Sequence, residues 1–153
     1  PTVERAATEL LLGKAADGLF EALPKDQRRR LADVPEVIRK LERVAQSLRA
    51  RRDDLAKAIG EAGQMGGERR DQVVGELEEA KNLAAAALAT AVSALENLRL
   101  DLLRLRAGVG SADDLTGSLE EARRVGEQVD AELEVRALLQ NSGGEGQGPR
   151  AAS

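Results

Sequence analysis

Apolar residues recur along this chain at helical spacing, over stretches far longer than a compact helix needs. From residue 34 to 62 one seam position is filled by Val34, Leu41, Leu48, Leu55 and Ala62 and the other by Val37, Val44 and Ala58, with Ile38, Ala45 and Ile59 widening the stripe. From residue 68 to 107 Val74, Leu88, Leu95 and Leu102 alternate with Leu77, Ala84, Ala91, Leu98 and Leu105. Paired apolar positions repeating every seven residues are characteristic of helices that lie along one another. The pattern therefore predicts two long helices, 34–62 and 68–107. Gly63, Gly66 and Gly67, with Gln64 and Met65, form a link short enough to return the chain antiparallel. A helix of roughly 40 residues is about 60 Å long, against a radius of gyration of about 15 Å for a compact domain of this chain length. An elongated hairpin is the expectation.

The remaining elements follow from punctuation. Asp33 and Glu36 have the spacing of a capping box, and Pro35 falls in the first turn, where its missing N–H costs nothing. Upstream, residues 3–23 read as a helix with Ala6, Leu10, Leu11, Leu19, Phe20 and Leu23 as its apolar positions, weakened by Gly13 and Gly18. Pro24 opens a short helical segment, 24–32, carrying Lys25, Arg28, Arg29 and Arg30. Gly108, Gly110 and Ser111 break the pattern again, and Ser111 or Asp113 can cap a fourth helix over 112–139. Its inner face would be Leu115, Leu119, Ala122, Val129, Leu133 and Ala137, with Gly117 and Gly126 weakening it. Residues 141–153 are Gly-rich and polar and predict a disordered tail.

The fold class expected is all-α: an elongated antiparallel helical bundle, or coiled-coil hairpin, of three long helices plus an N-terminal helical segment. The domain organisation is residues 1–33 as that segment, 34–140 as the bundle and 141–153 as the tail. Within the third helix, residues 83–94 are rich in Ala, which permits close approach but buries less area per residue. The leucine end, 95–105, is the expected stability anchor, and Leu100 and Leu103 would let it touch more than one helix. Leu41, Leu48, Leu55, Leu95, Leu98 and Leu102 are the residues expected to hold the hairpin. One residue breaks the seam. Arg51 occupies an apolar position, where it must direct its charged head outward or pair with a carboxylate on a facing helix.

Composition narrows function mostly by exclusion. The chain has no His, Cys, Trp or Tyr and one Phe, Phe20. The usual proton shuttle at neutral pH, the thiolate nucleophile, the commonest zinc ligands and disulfides are all absent. Bases have no stacking platform. Charged residues are 33% of the chain, against an average of about 25%, and lie mostly between seam positions, as solvent-facing helix surfaces do. A net charge of -4 argues against a general nucleic-acid binder. No uninterrupted apolar run approaches the roughly 20 residues that span a bilayer, and the N-terminus lacks a signal-peptide layout. A cytoplasmic protein is expected. The start at Pro1, directly inside a helical pattern, reads as the C-terminal part of a longer reading frame.

Four groups of residues could carry chemistry. Arg28, Arg29, Arg30, Arg49, Arg51, Arg52, Arg69 and Arg70 could form an anion or membrane-surface patch, but Asp26, Asp53, Asp54, Glu68 and Asp71 lie beside them and favour a solvated surface. Gly108, Gly110 and Ser111 follow a helix rather than a strand and have no P-loop Lys, so an interhelical turn is the better reading. Glu78 with Glu79, or Glu120 with Glu121, would need Glu-x-x-His motifs to build a di-metal bundle, and His is absent. Ser111, Thr116, Ser118 and Ser142 are candidate phosphorylation positions and equally ordinary cap and loop residues. No catalytic, cofactor-binding or metal-binding residue is assigned.

Two stretches carry a resemblance. Residues 23–55, reading LPKDQRRRLADVPEVIRKLERVAQSLRARRDDL, and residues 94–108, reading ALENLRLDLLRLRAG, resemble the helical C-terminal region that follows the catalytic domain in some large bacterial serine/threonine protein kinases. The resemblance covers most of residues 23–139 and implies a non-catalytic appendage to a signalling enzyme. The chain has no glycine-rich loop ahead of a catalytic Lys, no H-R-D-type loop and no D-F-G, so no catalytic residue is carried over. What it implies is a regulatory or dimerising protein-interaction module acting on itself or on an attached signalling domain. The alternative is a stand-alone helical scaffold or a peripheral membrane-surface protein.

Overall fold

The computed structural model describes residues 8–145, and the side chains of residues 8–139. Five helices follow one another: α1 (Thr8–Glu21), α2 (Lys25–Arg30), α3 (Val34–Gln64), α4 (Arg70–Arg106) and α5 (Ala112–Glu145). The described residues contain no strand. The architecture is an all-α bundle built on the antiparallel α3–α4 hairpin, with α1 and α5 packed against both of its arms. The 37 residues of α4 make it about 55 Å long.

The predicted boundaries of α3 and α4 hold to within two residues, since Gly and the turn polar residues terminate them where expected. Gly67 (φ 120°) and Gly108 (φ 78°) are the two positive-φ residues among those described, one at each end of α4. At Gly108 the left-handed conformation turns the chain so that the N–H groups of Val109 and Gly110 reach back to the Arg104 carbonyl at 3.0 and 3.1 Å. Of the two proposed caps for α5 it is Ser111 that acts: its Oγ accepts the Asp114 N–H at 3.2 Å.

Asp33 does not close the expected capping box. Leu31 accepts the Val34 N–H in a tight turn, and this holds Asp33 in the right-handed helical region (φ −79°, ψ −13°) with no side-chain cap bond. A cap needs extended backbone for its oxygen to reach the first free N–H groups. Freed from that role, the Asp33 carboxylate accepts a hydrogen bond from Arg123 of α5.

The core sits in the half of the hairpin nearest α2. Val34, Ile38, Leu41, Leu95, Leu98, Leu102 and Leu115 are fully buried there, and Phe20, Leu23 and Leu31 join them from the N-terminal segment. Leu98 and its neighbours thus form the expected anchor. Leu100 and Leu103 do not extend it, because both are 41% exposed. Ala84, Ala91 and Ala94 are buried as well, and their small side chains permit close approach of neighbouring helices.

In the other half of the hairpin the seam is only half-buried: Leu55, Ala58, Ile59, Val74 and Leu77 keep partial exposure, although Ala62 is buried. Leu55 therefore contributes less than Leu41 or Leu48. On α5, Leu115, Leu119, Ala122, Val125 and Val129 are buried, Leu133 is half-buried, and Ala137, expected inside, is exposed. Helix α5 continues to Glu145, so the start of the predicted tail moves outward from residue 141; residues 146–153 lie outside those described.

Helix α1 differs most from expectation. Neither Gly13 nor Gly18 interrupts it. Its inner face is Glu9, Gly13, Ala16 and Phe20, whereas Leu10 and Leu11 point outward at 37% and 56% exposure. Ala6, also expected inside, lies outside the described residues. Gly13 leaves room for the Glu42 side chain of α3, which lies where a Cβ would stand.

Candidate interaction surface

Burying α1 on α3 brings a polar seam together. Glu9 is fully buried and receives a bidentate fork from Arg49, Nε to Oε1 at 3.1 Å and Nη2 to Oε2 at 2.7 Å. Two parallel charge-assisted bonds satisfy the carboxylate geometrically, which is how an acid survives in a core. Burial alone would raise the Glu9 pKa, but the Arg49 hydrogen bonds, a backbone hydrogen bond and the charges of Arg49 and Arg52 outweigh it and leave it lowered. Along the same seam Glu42 and Asp17 are both raised, first by burial and then by neighbouring carboxylates, with Arg39 opposing the shift at each. One end of the α1–α3 contact is thus ionically locked, and its middle carries carboxylates held against their preference.

The arginines singled out in the sequence do not form one patch. Arg28, Arg29 and Arg30 are on α2, at the start of α3, whereas Arg49 lies 15 residues along α3, about 22 Å away. Arg28 pairs with Glu21 at 3.6 Å, Arg52 with Asp53 at 3.1 Å and Arg70 with Asp71 at 3.5 Å, all between partly exposed groups. Such pairs contribute little beyond a solvated surface. Glu78, Glu79, Glu120 and Glu121 are exposed, and Glu121 pairs with Arg124 at 2.7 Å. Among the described residues no group of three or more acids is placed to hold a metal ion. Gly108, Gly110 and Ser111 form the α4–α5 turn. Thr116 donates to the Ala112 carbonyl at 2.9 Å, and Ser118 lies on α5, donating to Asp101 of α4. The Ser142 side chain lies outside those described.

Unpartnered apolar surface gathers where α5 passes the far half of the hairpin. Val135, Leu138 and Leu139 are 55–67% exposed, and Leu83 of α4 is 56% exposed. Residues 135, 138 and 139 fall at the i, i+3, i+4 spacing of a single helix face. The same spacing is present in the sequence and is the signal by which this stripe could have been found. Between α3 and α5 runs an open groove of about 610 Å³ floored by Leu55, Ala58, Leu133 and Ala137.

Arg51, the residue out of pattern, lines this groove together with Arg136. It turns its head neither into an ion pair nor fully to water: its Nε is buried with no hydrogen-bond partner. Burial, and then the charge of Arg136, push its pKa below the ordinary arginine value.

Comparison with protein-family models, with curated proteins and with solved structures gives no match. Helix α4 does contain an 18-residue window of mean hydropathy 1.3, of which 33% is buried. Packing of α4 against α1, α3 and α5 accounts for the buried third of that window.

Proposed function

We propose that this chain is a non-catalytic helical interaction module, and that it serves as the regulatory or dimerising C-terminal region of a bacterial serine/threonine protein kinase. The observation that carries the interaction reading is the apolar stripe of Val135, Leu138 and Leu139 beside the half-buried far end of the hairpin. Three large aliphatic side chains, exposed together on one helix face, are more than scattered surface apolarity and have the character of a contact surface. The kinase assignment rests on the resemblance of residues 23–55 and 94–108.

Two measurements test the two parts. The coding sequence directly upstream of Pro1, in frame, should encode a kinase catalytic domain, and deleting the bundle from that reading frame should change its phosphorylation rate; a start codon directly before Pro1 would remove the kinase assignment. Sedimentation equilibrium of the chain alone, compared with a Leu138→Asp, Leu139→Asp variant, tests self-association. Loss of a dimer in the variant supports a dimerising role, and a monomer in both directs the stripe to another polypeptide.

A second reading, a peripheral membrane-surface protein, takes the exposed Val135, Leu138 and Leu139 as a face that enters a lipid surface. Co-sedimentation with anionic vesicles, weakening as salt is raised, would support it.

A further inference from the structure

We propose that the groove between α3 and α5 is a docking site for an acidic amphipathic helix of a partner polypeptide, read by Arg51 and Arg136. This deepens the interaction reading above and rests on it. The groove floor is apolar, made by Leu55 and Ala58 of α3 and Leu133 and Ala137 of α5. It runs from Ser47 to Ala58, about 16 Å or three helical turns. Leu55 and Ala58 are seam positions of α3, so a helix laid here continues the packing that α1 and α5 provide nearer the core.

Charge defines what that helix must carry. Arg51 and Arg136 line the groove, and neither lies within ion-pair distance of an acid among the described residues. Asp54 stands at the same groove yet forms no ion pair with either, and Ser47 is the other polar residue on its wall. The buried Arg51 Nε points to a missing acceptor, since a guanidinium nitrogen shielded from water costs stability unless bonded. Two arginines against a single Asp54 beside an apolar floor are a poor arrangement for folding alone. They become a favourable one when a carboxylate enters between them, because the fork of a guanidinium accepts a carboxylate edge-on. A helix with Leu at i, i+3 or i+4 and i+7, and Glu between, satisfies both requirements. The chain's own acidic runs at 76–79 and 113–121 lie on α4 and α5, inside the bundle that forms the groove.

The probe is a fluorescein-labelled helical peptide of about five turns with Leu at those positions and Glu between them, paired with a twin carrying Lys in place of every Glu. Fluorescence anisotropy with the full chain should give saturable binding of the acidic peptide, at least about tenfold tighter than the twin and weakening with salt. An Arg51→Gln, Arg136→Gln variant should lose at least about tenfold in affinity while keeping its helical circular dichroism and melting temperature. An Arg51→Glu, Arg136→Glu variant should reverse the preference and take the Lys twin. Equal binding of the two peptides, indifference to both variants, or a melting temperature lowered by more than about 4 °C in the Gln variant would overturn the proposal. So would phosphatidylglycerol vesicles that bind through these arginines while the peptide does not, since the groove would then be a lipid site. Failure here leaves the sedimentation and phosphorylation tests of the broader reading untouched.

Discussion

Replacing Arg49 with Met is the sharpest test of how α1 is held. The substitution keeps the aliphatic stem and removes the fork that satisfies Glu9, leaving a carboxylate with no solvent exposure and no partner of comparable geometry. Breaking a buried pair from one side costs about 3–5 kcal/mol. The Arg49 side chain is 31% exposed, so water enters on loss of the guanidinium and the expected cost falls to about 2–4 kcal/mol. Against a total stability of about 5–15 kcal/mol this is large, and for a chain of this size it lowers the melting temperature by about 5–12 °C.

Circular dichroism at the helical band is the assay, because the chain has no Trp or Tyr to report by fluorescence. The companion Glu9→Leu, Arg49→Met variant removes both charges and should melt close to the parent chain or above it. The pH dependence gives a second readout. The folded pKa of Glu9 is lowered, so its contribution to stability is present above the unfolded value of 4.5 and is lost as pH falls through the folded value. Without Arg49 burial is left largely unopposed and Glu9 protonates readily, so the gap between variant and parent should narrow in acid. A loss below about 1 kcal/mol at neutral pH, the range of an exposed pair, or a gap unchanged in acid would refute the reasoning.

Leu98→Ala should cost about 2–5 kcal/mol, since Leu98 is fully buried at the leucine end of α4; a thermal melt with no loss would reject the seam. Glu42→Gln should stabilise the chain at neutral pH. The Glu42 pKa is raised in the fold, so its penalty is absent below the unfolded value of 4.5 and grows as pH rises through the folded value. Melts of the two chains should therefore converge in acid, and a constant difference would contradict the assignment. Ser111→Ala should cost about 1 kcal/mol by removing the acceptor for the Asp114 N–H, and amide exchange should speed up in the first turn of α5 rather than in α3.

The long helices and their order were legible because apolar positions repeating every seven residues over about four heptads are met by helices that lie along one another. The Gly clusters marked the ends for the same reason, since glycine adopts the positive φ that both ends of α4 use. Helix α1 was legible as a helix and not as a face. Its run of three leucines, 10–12, offers no unique stripe, and the residue that fixes its rotation is a carboxylate. Hydrophobic patterning assigns Glu9 outward, whereas in the fold it is buried on the face of Gly13, Ala16 and Phe20 and held by the Arg49 fork from 40 residues away. Capping failed at Asp33 on similar grounds: spacing names the residue, but a tight turn before it sets the backbone and a distant Arg123 takes the side chain.

Arg51 was visible from the start as a charge in an apolar position, and among the described residues it forms no ion pair. At Glu9 an ionisable group in the wrong place is matched by a partner with good geometry, so that site is one of stability. At Arg51 burial and the like charge of Arg136 both disfavour the charged form, so the fold does not match its charge as it matches that of Glu9. A sequence in which seam, turns and caps mostly agree tolerates such a local conflict where something other than folding depends on it. The proposed interaction therefore falls at the half-buried end of the hairpin, beside Leu133, Val135 and Leu138, rather than in the leucine core where the pattern is most regular.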